Sequence, residues 1–217
     1  MEIVNILKII LEEGAKYAIL AIGVYLTYSI LDFPDLSVDG TLPLGAIVSA
    51  VLILQGADPW LSLLAAFAAG CAAGAVTGLL HVKLGIRPLL CGILMFTALL
   101  SVNLVIVKLG TGGQSIASIF GMTTIFSSPA VAFVPEMIGG IPLKKLIILV
   151  VIVALLKFAA DWYLKTKSGL LLRATGANEQ FCTMLARNPG VSKILGLALG
   201  NGLAALSGAV VAQANES

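Results

Sequence analysis

The sequence is poor in charge. Only 11% of its 217 residues are Asp, Glu, Lys or Arg, while 59% are hydrophobic and the mean hydropathy is +1.06. Soluble domains carry roughly 25% charged residues. A chain this short cannot hide so much apolar surface from water, so its solvent is lipid and it is not a soluble enzyme. The net charge of +2 lacks the dense basic face that a nucleic-acid partner requires. Histidine occurs once (His81), and the three cysteines (Cys71, Cys91, Cys182) form no CxxC pair. These residues therefore read as a loop histidine and small buried hydrophobes, with no metal site or other cofactor site. Also missing are a GxxxxGK[ST] phosphate loop, a nucleophile elbow, an HExxH helix and paired carboxylates inside an apolar run. That argues against a membrane enzyme. The opening residues mix charge into the apolar pattern and lack a small-residue cleavage site, so no cleavable signal peptide is expected.

What the sequence does contain is a succession of apolar runs near the roughly 20 residues that cross a hydrocarbon core. Residues 2–13 place Ile3, Ile6, Leu7, Ile10 and Leu11 at helical spacing among Glu2, Lys8, Glu12 and Glu13, which predicts a short amphipathic helix in the interface. A first span is expected over 15–31. The acidic turn DFPDLSVDGT (32–41) interrupts it, because Pro34 and Gly40 break helix and Asp32, Asp35 and Asp39 are costly in hydrocarbon. The run 42–56 is short for a crossing and reads as a broken or partly inserted helix, tolerable only where protein or a water-filled cavity surrounds it.

Further spans are expected at about 60–80, 88–107, 144–164 and 194–213, making about six in an all-α, polytopic bundle. The 60–80 run carries Gly70, Gly74 and Gly78, a doubled GxxxG ridge suited to close helix packing, within one subunit in preference to a dimer seam. Asn103 lies near the end of one span and Asn201 within the last. Lys157 and Asp161, four residues apart, read as a snorkelling ion pair. The segment 108–143, rich in Gly, Ser, Thr and Pro with patches such as FGMTTIF and SPAVAFV, reads as a structured loop packed on one face of the bundle. Segments 81–87 and 165–193 are basic and two spans apart, so the positive-inside rule places both in the cytoplasm and leaves 108–143 and the amino terminus outside. Lys144 and Lys145 at the outer end, and the acidic 32–41 turn inside, pull against this orientation.

In GANEQFCTMLARNPG (176–190), Gly176 opens and Asn188-Pro189-Gly190 closes a helix of about a dozen residues. Asn178 is its candidate N-cap, and Phe181, Met184 and Leu185 form an apolar face, for a partner's groove or for lipid headgroups. The surrounding run SGLLLRATGANEQFCTMLARNPGVSKILGLALGNGLAALSGAVVAQ resembles the cytoplasmic loop and helix of bacterial ABC importer permeases of the branched-chain amino acid and ribose superfamily. ILDFPDLSVDGTLPLGAIVSA resembles a second hallmark of that superfamily, an Asp-Leu-Ser turn before a Gly-containing helix. The wording FPDLSVDG is closest to the group associated with binding proteins for aromatic amino acids or similar small solutes.

The resemblance covers essentially the whole chain, 1–217, and implies the first part of an inverted-repeat permease fold. It implies a coupling helix over 176–190, with Gly176, Asn178, Phe181, Met184, Leu185 and Arg187 meeting a separate ABC ATPase subunit that binds the ATP. Asp35, Ser37 and Gly40 would shape a broken element on the translocation path, with Asn103 beside it. It further implies an extracytoplasmic solute-binding protein at 108–143, a permease homodimer, and a multi-pass place in the lipid of the bacterial inner membrane. Members of the superfamily continue for several spans beyond Ala212-Gln213, so against the resemblance the chain reads as a fragment incomplete at its carboxyl end or as an unusually short form. The alternative reading is a non-transporting membrane scaffold that binds a partner through its cytoplasmic helix.

Overall fold

The last helix of the chain is the axis on which the others assemble. The computed structural model describes residues 2–114, 116–128, 131, 143–184 and 188–215. In it, α8 (Pro189–Asn215) packs most extensively against α3 (Pro59–Leu84), α2 (Val38–Leu54) and α1 (Glu2–Val24). Its sequence explains the choice. Gly196, Gly200, Gly202 and Gly208, with Ala204, Ala205 and Ala209, give a thin helix whose backbone neighbours can approach closely, and this is where membrane helices gain packing energy. The GxxxG ridge of α3 faces it. A Cβ at Gly70 would lie 2.5 Å from the Asn201 carbonyl oxygen, and one at Gly74 would strike the Leu197 carbonyl. The ridge thus serves packing within one chain.

Two boundaries differ from the sequence expectation. The amphipathic segment and the first span form one continuous helix through Gly14, because a single interior glycine costs only about 1 kcal/mol and the flanking residues are good helix formers. This helix widens into a π-helical turn at Tyr25–Ile30 before the chain breaks. The short run begins earlier than expected, at Val38, and makes a 17-residue α2 with Pro43 near its start.

α3, α4 (Pro88–Gly110), α5 (Lys144–Lys165) and α8 are each long and apolar enough to cross a membrane. With α1 and its π turn, and the shorter apolar α2, they make the expected all-helical polytopic bundle. α5 sits at its edge, with Leu155, Phe158 and Trp162 exposed as a lipid-facing surface would be. Its Lys157 Nζ donates to Asp161 Oδ2 at 2.6 Å.

The described part of the 108–143 segment does pack on the bundle, burying Ile119, Ile125 and Phe126; residues 129–130 and 132–142 lie outside the described residues. Gln213 anchors it. Its Oε1 accepts the Ile125 N–H at 3.0 Å, while Nε2 donates to the hydroxyls of Ser49 and Ser62, each at 3.0 Å. Replacing Gln213 by Leu strands these buried groups. The variant is expected to lose about 1–3 kcal/mol of stability, read as a lower midpoint of thermal unfolding in detergent.

Candidate functional site: an unwound element and a cytoplasmic helix pair

Between the π turn and α2 the chain is irregular over seven residues, Leu31 to Ser37. Asp32 adopts φ 55°, a left-handed conformation that aspartate tolerates better than most residues. Asp35 then folds back on α2: its Oδ1 accepts from the Ser37 N–H at 2.9 Å and from the Ser37 hydroxyl at 2.6 Å. The other carboxylate oxygen, Oδ2, accepts from Asn201 Nδ2 at 2.6 Å. Asn201 Oδ1 in turn accepts from the Thr41 hydroxyl at 2.9 Å. Ser37 Oγ also lies 3.1 Å from Asn201 Oδ1, but its one proton goes to the shorter contact with Asp35. Thr77 Oγ1 lies 3.4 Å from Ser37 Oγ and borders the cluster from α3, but its one proton goes to the nearer Ala73 carbonyl at 3.2 Å.

Asn201 lies 12 residues into α8, roughly 18 Å from the start of the helix. The cluster therefore sits inside the bundle, where polar groups survive only if they satisfy one another. Ser37, Thr41, Thr77 and Asn201 are all buried, and Asp35 is partly exposed.

Gly40 and Asn103 extend the element toward α4. A Cβ on Gly40 would approach Leu99 Cβ to 3.0 Å, so glycine is what lets α2 and α4 meet there. The Gly40 carbonyl accepts from Asn103 Nδ2 at 3.2 Å. Of the residues expected at this element, Asp35 and Ser37 bond each other and Gly40 meets Asn103, while Asn201, expected only as a polar residue of the last span, joins Asp35. Sequence reasoning missed Thr41 and Thr77 as members. The available signal was spacing: Thr41 is one helical turn after Ser37, and Thr77 lies beside the Gly74 and Gly78 ridge.

The other end of α8 carries the expected coupling segment. Instead of one helix over 176–190, the structure has α6 (Lys167–Ala177) followed by the short α7 (Glu179–Met184). Gly176 belongs to α6, where a Cβ would strike the Ile30 carbonyl; it seats α6 on the π turn and does not open α7. Asn178 stands between the two helices in extended conformation. Asn188-Pro189-Gly190 opens α8 and does not close α7: proline is favoured at a first helical position, and Asn188 Oδ1 accepts the Gly190 N–H at 2.9 Å. Met184 is 82% exposed. Leu185 and Arg187 lie outside the described residues, as does the side chain of Phe181.

α7 is tied to the bundle through charge. Lys193 Nζ donates to Glu179 Oε2 at 2.8 Å and lies 3.4 Å from His81 Nε2. The other imidazole nitrogen, Nδ1, faces the Ile86 carbonyl at 2.8 Å and must carry the proton there, which leaves Nε2 free to accept from lysine. This contact joins the basic 81–87 connector to the 179–193 region, and the edge-on ring contact of Phe33 with His81 at 5.1 Å brings in the acidic turn. The 81–87 and 179–193 segments share one end of the bundle, and Phe33 reaches it from the turn.

Among the described residues no cluster of three metal-ligating side chains occurs. A thin-axis helical bundle with an unwound polar turn within it and a short helix pair at one end defines a polytopic membrane protein. Comparison with known sequences makes this specific. Residues 6–217 match the model of the family described as the permease component of the branched-chain amino acid transport system, and the chain belongs to that family.

It is 37% identical over 204 residues to a tyrosine transport system permease protein of Clostridioides difficile, covering 94% of this chain and 63% of that protein. It is 30% identical over 215 residues to the ribose import permease of Escherichia coli, covering 95% of this chain and 61% of the relative. It is also 30% identical over 198 residues to the fructose import permease of Bifidobacterium longum, covering 91% and 52%. The chain thus spans less than two thirds of the length of each of these relatives. No solved structure matches the chain.

Proposed function

We propose that the chain forms the pathway part of an ATP-driven importer for a small solute, an amino acid with an aromatic side chain being the best-supported class. The observation that carries the reading is the family match over residues 6–217, and the tyrosine permease relative at 37% identity supports the solute class. In this reading Asp35, Ser37, Gly40 and Asn103 belong to the translocation path. The chain carries no ATP site of its own and acts as a transport subunit, not as an enzyme. Two copies enclose the path in the bacterial inner membrane, an extracytoplasmic binding protein delivers the solute on the 108–143 side, and a separate ABC ATPase subunit docks on the α6–α7 side.

Coupling requires that ATP binding on the partner bias one arrangement of the pathway over another. The 176–190 segment, with Asn178, Phe181, Met184, Leu185 and Arg187 in its sequence, is the contact through which it does so. The tie of Glu179 to Lys193 on α8 supports this, because α8 carries Asn201 of the unwound element.

Co-purification of the full-length chain with its ATPase subunit in mild detergent tests the reading. Met184→Asp places a charge on a fully presented apolar contact and is expected to weaken ATPase association at least tenfold, about 1.4 kcal/mol. Replacing 179–190 by a Gly/Ser linker is expected to abolish it. Retention of the ATPase by the linker variant would refute the coupling role. Failure of the unaltered chain to hold any ATPase would favour the scaffold reading.

A further inference from the structure

Two neighbouring helices measure how deep the start of α2 lies. The Thr41 hydroxyl meets Asn201, 12 residues after the first residue of α8. A Cβ on Gly40 would press on Leu99, 11 residues after the first residue of α4. Both rulers give roughly 17–18 Å from the helix start, close to the middle of each helix. Asp39 belongs to that layer, beside Gly40 and in the first turn of α2. Val38, Gly40, Thr41 and Leu44 are buried where α2 packs on its neighbours, whereas Asp39 is exposed. No described residue gives its carboxylate a hydrogen bond or an ion pair. Nor could α3, α4 or α8 readily do so: their described cations are Lys83, Lys108 and Lys193, all near helix ends.

A carboxylate at this depth does not face hydrocarbon; ionisable groups inside a membrane face protein or a water-filled cavity. The backbone adds a second acceptor at the same residue. Pro43 has no N–H, so the Asp39 carbonyl lacks the donor that an α-helix supplies four residues on. The first turn of a helix favours negative charge. A primary ammonium brings one positive charge and three donors, which matches a carboxylate beside a main-chain carbonyl. A neutral solute would leave the charge unmet, and an anion would be repelled.

We propose that Asp39 is the cation-recognition residue of the translocation path, its carboxylate receiving the α-ammonium of an amino acid solute. The proposal rests on the permease reading above and deepens it. The face of α2 that carries Asp39 is then a wetted wall of the path, while Asp35, one turn earlier, is already held by Ser37 and Asn201.

Two measurements on the full-length chain in nanodiscs, with its ATPase subunit bound, test this. The first asks whether position 39 meets water. With Cys71, Cys91 and Cys182 replaced by Ala, Asp39→Cys is expected to react with a charged, membrane-impermeant methanethiosulfonate at least about tenfold faster than Leu155→Cys on the outer side of α5. The second compares binding of radiolabelled tyrosine with that of 3-(4-hydroxyphenyl)propionate, which lacks the ammonium. The unaltered chain is expected to prefer tyrosine at least about tenfold. Asp39→Asn is expected to weaken tyrosine at least about tenfold without weakening the propionate, and Asp39→Glu to restore part of the preference. Equal reactivity of the two cysteines overturns the proposal. So does an Asp39→Asn variant that binds tyrosine as before, or that loses both ligands alike. Dissociation of the complex on Asp39→Asn also overturns it and gives the carboxylate to a cation of a partner subunit. A chain that holds its ATPase but binds no tyrosine overturns the ammonium assignment alone. An unaltered chain that holds no ATPase strikes the permease reading instead, so the two failures are distinguishable.

Discussion

Replacing Gly45 by Val is expected to leave the chain unable to form its bundle. A Cβ at this position would fall on the carbonyl of Ala205, with the Ala205 Cα only 2.6 Å away. The obstacle is backbone on the opposing helix, so no side chain can rotate out of the way. α2 and α8 would have to separate, carrying with them the Gly208 contact to the Leu42 carbonyl one turn along. Overpacking of a well-packed core typically costs about 1–3 kcal/mol; with a rigid backbone obstacle and a shared interface the cost here is expected to exceed about 3 kcal/mol. Size-exclusion chromatography in detergent should show aggregated material in place of a single peak. Gly14→Ala is the control of opposite sign. Nothing lies within 4 Å of a Cβ there, and removing an interior helical glycine is expected to stabilise by about 0.5–1 kcal/mol.

Asn201→Leu is expected to be the most damaging polar substitution. Asn201 donates to Asp35 Oδ2 and accepts from Thr41; its loss leaves a carboxylate oxygen unmatched, while the Thr41 hydroxyl turns to the Val38 carbonyl. Hydrogen bonds to charged groups contribute about 1.5–3 kcal/mol, and the stranded carboxylate adds a desolvation cost. A loss of about 2–4 kcal/mol is therefore expected on thermal unfolding, with uptake by intact cells falling to background. Asp35→Leu combined with Asn201→Leu removes both partners and is expected to recover much of the stability, because an apolar pair is less costly than a half-satisfied one. Uptake should not return with it. A double variant that transports normally would remove the Asp35–Asn201 pair from the path, whereas one no more stable than Asn201→Leu would mean the two residues are not energetically coupled.

Most of the bundle was legible because apolar length is a strong signal in a chain so poor in charge. α3, α4, α5 and α8 fall within a few residues of the runs that announce them. The boundaries that moved did so where local punctuation is weak or doubly used. Gly14 ends nothing, because one glycine does not stop a helix that hydrophobic residues continue on both sides. Pro189 reads equally as the end of one helix or the first position of the next, and the chain uses it as the latter. Gly176 looks like a helix boundary but is a packing glycine, set by the approach of Ile30, some 146 residues earlier. The polar members of the unwound element were partly visible, since Asp35 and Asn201 stand out in apolar surroundings. Thr41 and Thr77 did not, because a hydroxyl inside a membrane helix more often bonds to its own turn. Thr77 does so, to the Ala73 carbonyl, and Thr41 has the Val38 carbonyl as its alternative acceptor to Asn201.

The central position of α8 also sets an order of events at the ribosome. α1, α2 and α3 enter the membrane first, yet the surfaces of Gly45, Gly74 and Asp35 meet their counterparts only once Leu197 to Gly208 have been made. About 100 residues separate the end of α3 from the start of α8. At ordinary translation speeds of about 5–20 residues per second, that is a wait of roughly 5 to 20 seconds. During it the nascent chain holds an Asp35 carboxylate oxygen with no Asn201 amide to donate to it. A chain stalled before residue 197 therefore keeps an unmatched carboxylate oxygen and the open glycine faces of α2 and α3.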